Sequence, residues 1–332
     1  MGKTNLLDAI YYLSFTKNHN NLNDSQLIKH DEEFCTLQGF YTNGGDKETI
    51  YCGIKRKHRK VFKRNKKEYD RLSEHIGLVP LVMVSPDDIT LIRGGSEERR
   101  KFVDMIISQY DKNYLHQLIQ YNRALHQRNI LLRNEYPVDD SLFEVYEEQM
   151  TAAAEVIYAG RTTFFEEFLP LFKEYYGTIS REGEAVDLHY DSQLNEQTLT
   201  QLFASKRERD KLLGYTSVGI HRDDFDFMLD DYLIRKIGSQ GQNKTYLIAL
   251  KLAQFRFLAG KGDSTPILLL DDIFDKLDAN RVEQIIHLVA DNGFGQIFIT
   301  DTNRQYLDEI LASMNREYKL FLVQDGTVGE LP

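Results

Sequence analysis

No apolar run in the 332 residues approaches the roughly 18 that a membrane-spanning helix needs, so a membrane protein is not expected. The first residues do not read as a signal peptide: Lys3 is followed by a mixed stretch containing Asp8, with no small-residue cleavage site. Cysteine is nearly missing. Cys35 and Cys52 are the only two, and they lack metal-ligand spacing. That argues against a zinc site and for a reduced, cytoplasmic setting, with both thiols read as buried apolar groups. Internal repeats and low-complexity tracts are absent. Positive charge is also short: the formal net charge is −10, which argues against a generally basic nucleic-acid binder. What remains, 42% hydrophobic and 28% charged residues, is the composition of one large globular domain or two ordinary ones.

The shortage of positive charge is uneven. Residues 51–71 hold ten Lys/Arg against Glu68 and Asp70, a local +8 on a remainder of −18. Nine of them, Lys55, Arg56, Lys57, Arg59, Lys60, Lys63, Arg64, Lys66 and Lys67, fall between 55 and 67. The pattern predicts strands at 34–41 and 48–57 with a turn between, then a third strand and polar turn over 59–69. On such a strand pair the cations form a ledge suited to phosphates, with contacts that ignore base sequence and weaken with salt. A solvated hairpin face is the plain alternative. Arg99, Arg100, Lys101 and the helix carrying Arg123 and Arg128 are secondary candidates. No helix-turn-helix or finger is present to read bases.

Elsewhere the periodicity is readable. Leu6, Leu7, Ile10 and Leu13 predict a helix directly after Thr4. LVPLVMVS (78–85) is a short apolar strand. From about Ser96 to Tyr176 the spacing is helical with a break at 134–137, hence at least two long helices. AVDLHYDS (185–192) is a strand, and a helix carrying Leu199, Leu202 and Phe203 follows. DFDFMLDDYLIRKIGS (224–239) alternates like a hairpin. A helix covers Thr245 to Leu258. PILLLDD (266–272) is a continuous apolar strand ending in two carboxylates, the mark of a parallel sheet covered on both faces. A helix with Val282, Ile285, Ile286 and Val289 comes next, QIFIT (296–300) reads as another buried strand, and KLFLV (319–323) as a further one. The order is α/β with a parallel core.

The chemistry lies at the ends of these elements. Gly2-Lys3-Thr4 is how a phosphate-binding loop ends, with Lys3 for the β- and γ-phosphates and Thr4 for Mg²⁺. An ordinary turn would read the same. Asp271 and Asp272 stand at the C-terminal end of a buried strand, where ligands bind in open α/β sheets. Asp271 would hold Mg²⁺ opposite Thr4, and Asp272 would orient or deprotonate a water. One Asp would suffice as a helix cap; two exceed that need. Gly238-Ser239-Gln240-Gly241-Gln242, before a helix, is a second anion-binding pattern, or simply a Ser cap. Asp275-Lys276-Leu277-Asp278 follows the carboxylate pair.

In that order these pieces resemble the ABC-type ATPase head, and in detail the bacterial RecF family. GKTNLLDAIYYLSF (2–15), SPDDITLIRGGSEERRKFVD (85–104), YNRALHQRNILL (121–132), GIHRDDFDFML (219–229), GSQGQNKTYLIALKLAQ (238–254), LLLDDIFDKLDANR (268–281) and QIFITDT (296–302) carry the resemblance across nearly the whole chain. It implies a discontinuous head, 1–95 and 180–332, with an inserted helical lever-arm domain at 96–179. It implies ATP with Mg²⁺, bound between two copies. Gly2, Lys3 and Thr4 would take the phosphates. Ser239, Gly241 and Gln242 would reach the γ-phosphate from the second copy. Asp271 would be the Mg²⁺ residue, Asp272 a shortened general base, and Asp278 part of the loop coupling the sites. Thr300-Asp301 stands where transporters carry a histidine switch. The family would act on double-stranded DNA near single-strand/double-strand junctions, with RecO and RecR, to load RecA in gap repair, hydrolysing ATP slowly. Met1 fits a variable position just before G-K-T, so a strand, a hairpin and the first loop glycine are expected upstream of it. A truly shortened, ATP-inert DNA-binding remnant is the alternative. Cohesin- or Rad50-like tethers need long coiled-coil arms that 96–176 lacks. A small-molecule kinase would leave GSQGQ and the basic hairpin unexplained.

Overall fold

The computed structural model describes residues 2–20, 22–43, 45–136, 138–180, 183–262, 264–274, 279–291, 293–301, 308, 311, 317–324 and 326–331. In chain order the elements are α1 (Lys3–Phe15), β1 (Phe34–Asn43), β2 (Asp46–Lys55), β3 (Val61–Arg64), β4 (Lys67–Glu68), β5 (Leu81–Val84), α2 (Ile89–Arg93), α3 (Ser96–Tyr110), α4 (Lys112–Leu132), α5 (Asp140–Ser180), β6 (Val186–Asp191), α6 (Leu199–Leu213), β7 (Asp224–Leu229), β8 (Tyr232–Leu233), α7 (Ile234–Ile237), α8 (Gln240–Lys261), β9 (Ile267–Asp271), α9 (Ala279–Asp291), β10 (Ile297–Thr300), β11 (Leu320–Gln324) and β12 (Thr327–Leu331). They form two compact units, Met1–Pro86 with Leu258–Pro332, and Asp87–Phe257. That division is by compactness. The head and insertion expected from the sequence are a division by function.

Among the described residues the first unit holds three sheets. β1 to β4 form an antiparallel sheet in sequence order. Its inner face alternates Ile50, Cys52, Ile54 and Phe62 into a cluster with Tyr12, Leu13 and Ile28, while Phe34 and Phe40 on the other face stay exposed. Burial pushes the Cys52 thiol up to about 12, as expected of an apolar, unreactive sulfur. The β3–β4 turn places Asn65 and Lys66 at φ 49° and 71°, the left-handed pair of a type I′ hairpin. Next to it, β9 is the middle strand of a parallel sheet with β10 and β5 on its flanks. Leu268, Leu269 and Leu270 are buried, which is why this strand reads as unbroken apolar sequence.

Two sequence expectations are corrected here. KLFLV is not a further strand of the parallel core: β11 pairs antiparallel with β12, and Phe321 and Leu322 are half exposed. QIFIT does join the core, but each of its residues 297–300 is only half-buried, because β10 is bonded to β9 on one side alone among the described strands.

In the second unit, α3 and α4 are separated at Asp111, whose carboxylate caps α4 by accepting from Tyr114 N at 2.9 Å. A long α5 buries an aromatic stripe of Phe164, Phe168, Phe172 and Tyr176 at four-residue spacing. β6, β7 and β8 make an antiparallel sheet. The hairpin expected over 224–239 stops at Leu233: residues 234–237 form the short helix α7 instead. The interior also carries buried charge. Arg161 bonds Asp104 and Asp223, and Arg128 bonds Glu147 and Asp210. Every such charge needs its partner, since an ion stripped of water without one is very costly.

Candidate nucleotide site and basic hairpin

Gly2 caps α1 with φ 114°, a left-handed backbone that glycine adopts without strain, and its carbonyl accepts from Leu6 N at 3.1 Å. The first-turn N–H groups of α1 therefore face outward with no intrahelical partner, and no acid occupies that turn. Lys3 Nζ donates to the Asp301 carbonyl at 2.5 Å. Thr4 Oγ1 donates to Asp271 Oδ1 at 3.3 Å. Asp271 ends β9, opposite Thr300 in the parallel register, and is only 4% exposed. Thr300 Oγ1 donates to that same Oδ1 at 2.6 Å, so two hydroxyls fix one carboxylate oxygen. Asp271 Oδ2 has no hydrogen-bond partner among the described residues.

Asp272 then turns the chain. It adopts φ 47°, and its N–H donates to the Thr300 carbonyl at 3.1 Å. A left-handed non-glycine residue stores strain, and such residues gather at functional sites. The structure thus brings together Gly2, Lys3, Thr4 and Asp271, with Asp272 directly following. A hydroxyl and a carboxylate at a cationic helix N-terminus are hard oxygen donors of the kind Mg²⁺ takes, so the residues present fit a metal–nucleotide pair. In the sequence Thr300 stands out only for occupying the place of a histidine switch. Its bond to Asp271 was not legible there, because the strand register decides it. Asp278 lies outside the described residues.

Ser239, Gly241 and Gln242 belong to the other unit, at the start of α8. Ser239 Oγ accepts from Gln242 N at 3.2 Å, and Ser239 N donates to Gln242 Oε1 at 2.7 Å, a reciprocal capping box. Gly238 sits where a Cβ would come within 2.6 Å of Asn243 Oδ1 and 2.8 Å of the Ile234 carbonyl, so the bend into α8 needs a glycine.

The basic hairpin divides into two kinds of cation. Arg56 is spent on its own chain, donating to the carbonyls of Ser25 at 3.1 Å and Glu32 at 3.0 Å. Lys60 donates to Thr16 O at 2.6 Å and Tyr12 Oη at 3.0 Å, and pairs with Asp24 at 3.1 Å. Arg64 forks onto Glu48 and holds that carboxyl below its ordinary range through the hydrogen bond, against the opposing effect of burial. Lys55, Lys57, Arg59, Lys66 and Lys67 are exposed, and Lys63 is half-buried. None of these six has an ion pair among the described residues. Two of the secondary candidates are excluded. Arg99 is 2% exposed and forked onto Asp224, and Arg128 is fully buried among carboxylates, so neither can meet a phosphate. Lys101 is occupied by Glu97 and Glu98 at the surface.

No family model matches the chain. Whole-protein comparison is decisive instead. The chain is 64% identical over all its length to the DNA replication and repair protein RecF of Azobacteroides pseudotrichonymphae, covering 91% of that protein, and 63% identical to that of Parabacteroides distasonis, covering 90%. The chain belongs to the RecF family. A solved structure of the recombination mediator RecF with ATP, from the RecFOR pathway, matches all of this RecF-family chain with TM-score 0.87 at 30% identity and is itself covered to 89%. An Smc head bound to a winged-helix domain of ScpA matches at TM-score 0.56 and 15% identity, over 99% of this chain and 86% of its own. That likeness is of fold alone, and it is the ABC-type ATPase head. Among the described residues no helix is long and apolar enough to cross a membrane.

Proposed function

We propose that this RecF-family chain is an ATP-dependent DNA-binding protein of recombinational gap repair, closing on a second copy of itself around ATP. The observation that carries the reading is Asp271: buried at the end of β9, it accepts from Thr4 and Thr300 on one oxygen and leaves the other for a cation, beside Lys3 and the open N-terminus of α1. Bound Mg²⁺ would supply charge neutralisation across the β- and γ-phosphates. The chain's own residues do the rest. Lys3 exchanges the Asp301 carbonyl for phosphate oxygens. Thr4 and Asp271 hold the cation. Asp272, one methylene shorter than a glutamate, orients the attacking water, which suits slow hydrolysis that times release rather than drives work. Ser239, Gly241 and Gln242 meet the γ-phosphate of the second copy, and Asp278 belongs to the coupling loop. In this scheme 1–95 with 180–332 act as the head and 96–179 as the lever arm.

DNA lies on the exposed cations of the hairpin, held by phosphates and not by base edges. By likeness to the RecFOR structures, RecO and RecR are the proposed partners, RecA loading next to single-strand/double-strand junctions the outcome, and the cytoplasm the setting. Sedimentation velocity of the native protein with Mg²⁺–ATP, with and without gapped duplex, tests the core of the reading. A dimer that appears only with ATP is expected. A protein that stays monomeric at saturating ATP on DNA refutes it.

A further inference from the structure

The loop between α5 and β6 supplies a carboxylate that neither nucleotide nor DNA binding uses. Glu184 Oε1 accepts from Gln242 Nε2 at 2.5 Å, and its Oε2 accepts from the Tyr176 hydroxyl at 2.5 Å. Tyr176 is 1% exposed on the last turns of α5, four residues before its end at Ser180. An ionised carboxylate can only accept, so it decides which end of the Gln242 amide faces it. The NH₂ turns to Glu184, and the amide oxygen is left for Ser239 N. In the opposite orientation the NH₂ would meet the Ser239 N–H, donor against donor, and the capping box would open.

The consequence falls on the atoms that would meet a phosphate. Ser239 Oγ uses a lone pair to accept from Gln242 N, which leaves its O–H proton for an outside acceptor. The N–H groups of Gln240 and Gly241, in the first turn of α8, have no intrahelical carbonyl to bond. With the box closed, these donors sit together at the start of α8, where Ser239 and Gln240 are exposed.

We propose that Glu184 is a positioning residue of the Gly238-Ser239-Gln240-Gly241-Gln242 signature: held by Tyr176, it sets the Gln242 amide, and through it the Ser239 hydroxyl and the first turn of α8, to receive the terminal phosphate of ATP bound by a second copy. The inference rests on the ATP-dependent dimer proposed above. It makes two hydrogen bonds the tie between the end of the long helix α5 and the signature. Glu184 touches no substrate and acts only through Gln242.

A double-mutant cycle in the native protein tests this, using Glu184→Gln, Gln242→Ala, their combination, and Tyr176→Phe. ATP-dependent dimerisation is followed by sedimentation, nucleotide affinity of the monomer with a fluorescent ATP analogue, and folding by thermal melting. Glu184→Gln is expected to weaken dimerisation about tenfold while monomer affinity stays within about twofold and the melting point holds. In the Gln242→Ala background the same change should add nothing. Tyr176→Phe, which keeps the ring, should give a smaller loss of the same kind. Dimerisation unchanged by Glu184→Gln, or weakened equally when Gln242 is already gone, overturns the proposal. So does a variant that loses melting point and nucleotide affinity together, which would make Glu184 a prop of the fold. Wild-type protein that never dimerises with ATP defeats the dimer reading itself, and this inference with it.

Discussion

Replacing Lys60 by alanine and Lys66 by glycine should have opposite consequences, although both are lysines of one basic hairpin. Lys60 is 17% exposed and gives three bonds, to Thr16 O, Tyr12 Oη and Asp24. Thr16 ends α1 in a left-handed conformation at φ 58°, so the ammonium also sits at the negative end of that helix. Three bonds from a charged donor are worth about 1.5 kcal/mol or more each, less about 1–2 kcal/mol of side-chain entropy returned. Asp24 is 35% exposed, which screens its share. The net loss on Lys60→Ala is about 2–3 kcal/mol. Lys66 makes no such bonds and occupies a turn position that glycine prefers. Lys66→Gly relieves about 1 kcal/mol of backbone strain and gives back a similar amount in unfolded-chain freedom, so stability should barely move. DNA binding should respond the other way. Each lost phosphate contact lowers the slope of log affinity against log salt by about 0.9. Lys66→Gly should remove one such step, and Lys60→Ala none. Denaturant unfolding and anisotropy on a duplex at several salt concentrations read both quantities. A Lys60→Ala protein of normal stability but reduced salt slope would refute the division of the hairpin into structural and phosphate-facing cations.

Other expectations follow from the same contacts. Asp271→Asn should cut the Mg²⁺-dependent part of ATP affinity by at least about tenfold and leave Mg²⁺-free binding alone, by calorimetry with and without the metal. Reversing Lys63, Lys66 and Lys67 with Arg64 to Glu should abolish duplex binding at moderate salt while ATP binding persists. Retained DNA affinity would displace the interface from the hairpin. His221 donates Nε2–H to the Thr216 carbonyl and accepts from Tyr121 Oη, and burial pushes its pKa from 6.5 down to about 4. The unfolded chain takes up a proton where the folded one does not, so stability should fall as pH drops from 6.5 towards 4, by up to roughly 3 kcal/mol, and His221→Asn should flatten that limb. Arg161→Met strands Asp104 and Asp223 without their cation, and the second unit should lose about 3–5 kcal/mol in denaturant melts.

Where the sequence was legible, local pattern and tertiary demand agreed. The apolar run of β9 needs burial on both faces, and Leu268, Leu269 and Leu270, which alternate between those faces, are all buried. Alternation in β2 separates Ile50, Cys52 and Ile54 from the outer face, and the helix after Thr4 buries Leu7 and Leu13, while Ile10 is half-buried and Leu6 exposed. KLFLV was misleading because apolarity in a short strand says that it packs, not on what. Its partner, β12, is the short TVGEL, interrupted by Gly329 and with no sustained strand signal of its own. The turn of LIRKIGS into α7 was equally hidden: alternation over 224–229 is real, but Ile234 is buried by a helical turn.

The site was legible as residue types and illegible as roles. Two adjacent aspartates cannot tell which of them faces the hydroxyls of Thr4 and Thr300. Register decides it, because Asp271 stands opposite Thr300 and takes its hydroxyl, while the chain leaves the strand at Asp272 through a left-handed φ. Nine cations in thirteen positions cannot tell which are free. That depends on Asp24, Glu48 and the carbonyls of Ser25 and Glu32, which are brought in from far along the chain. Glu184 was invisible for the same reason, being one acid in a loop without a motif. In each case the deciding partner is a residue of no distinctive type, placed by the fold next to one that is. Motifs therefore locate the chemistry in this chain, and the ordinary hydroxyl, carbonyl and carboxylate groups around them fix which atoms each motif has left to offer.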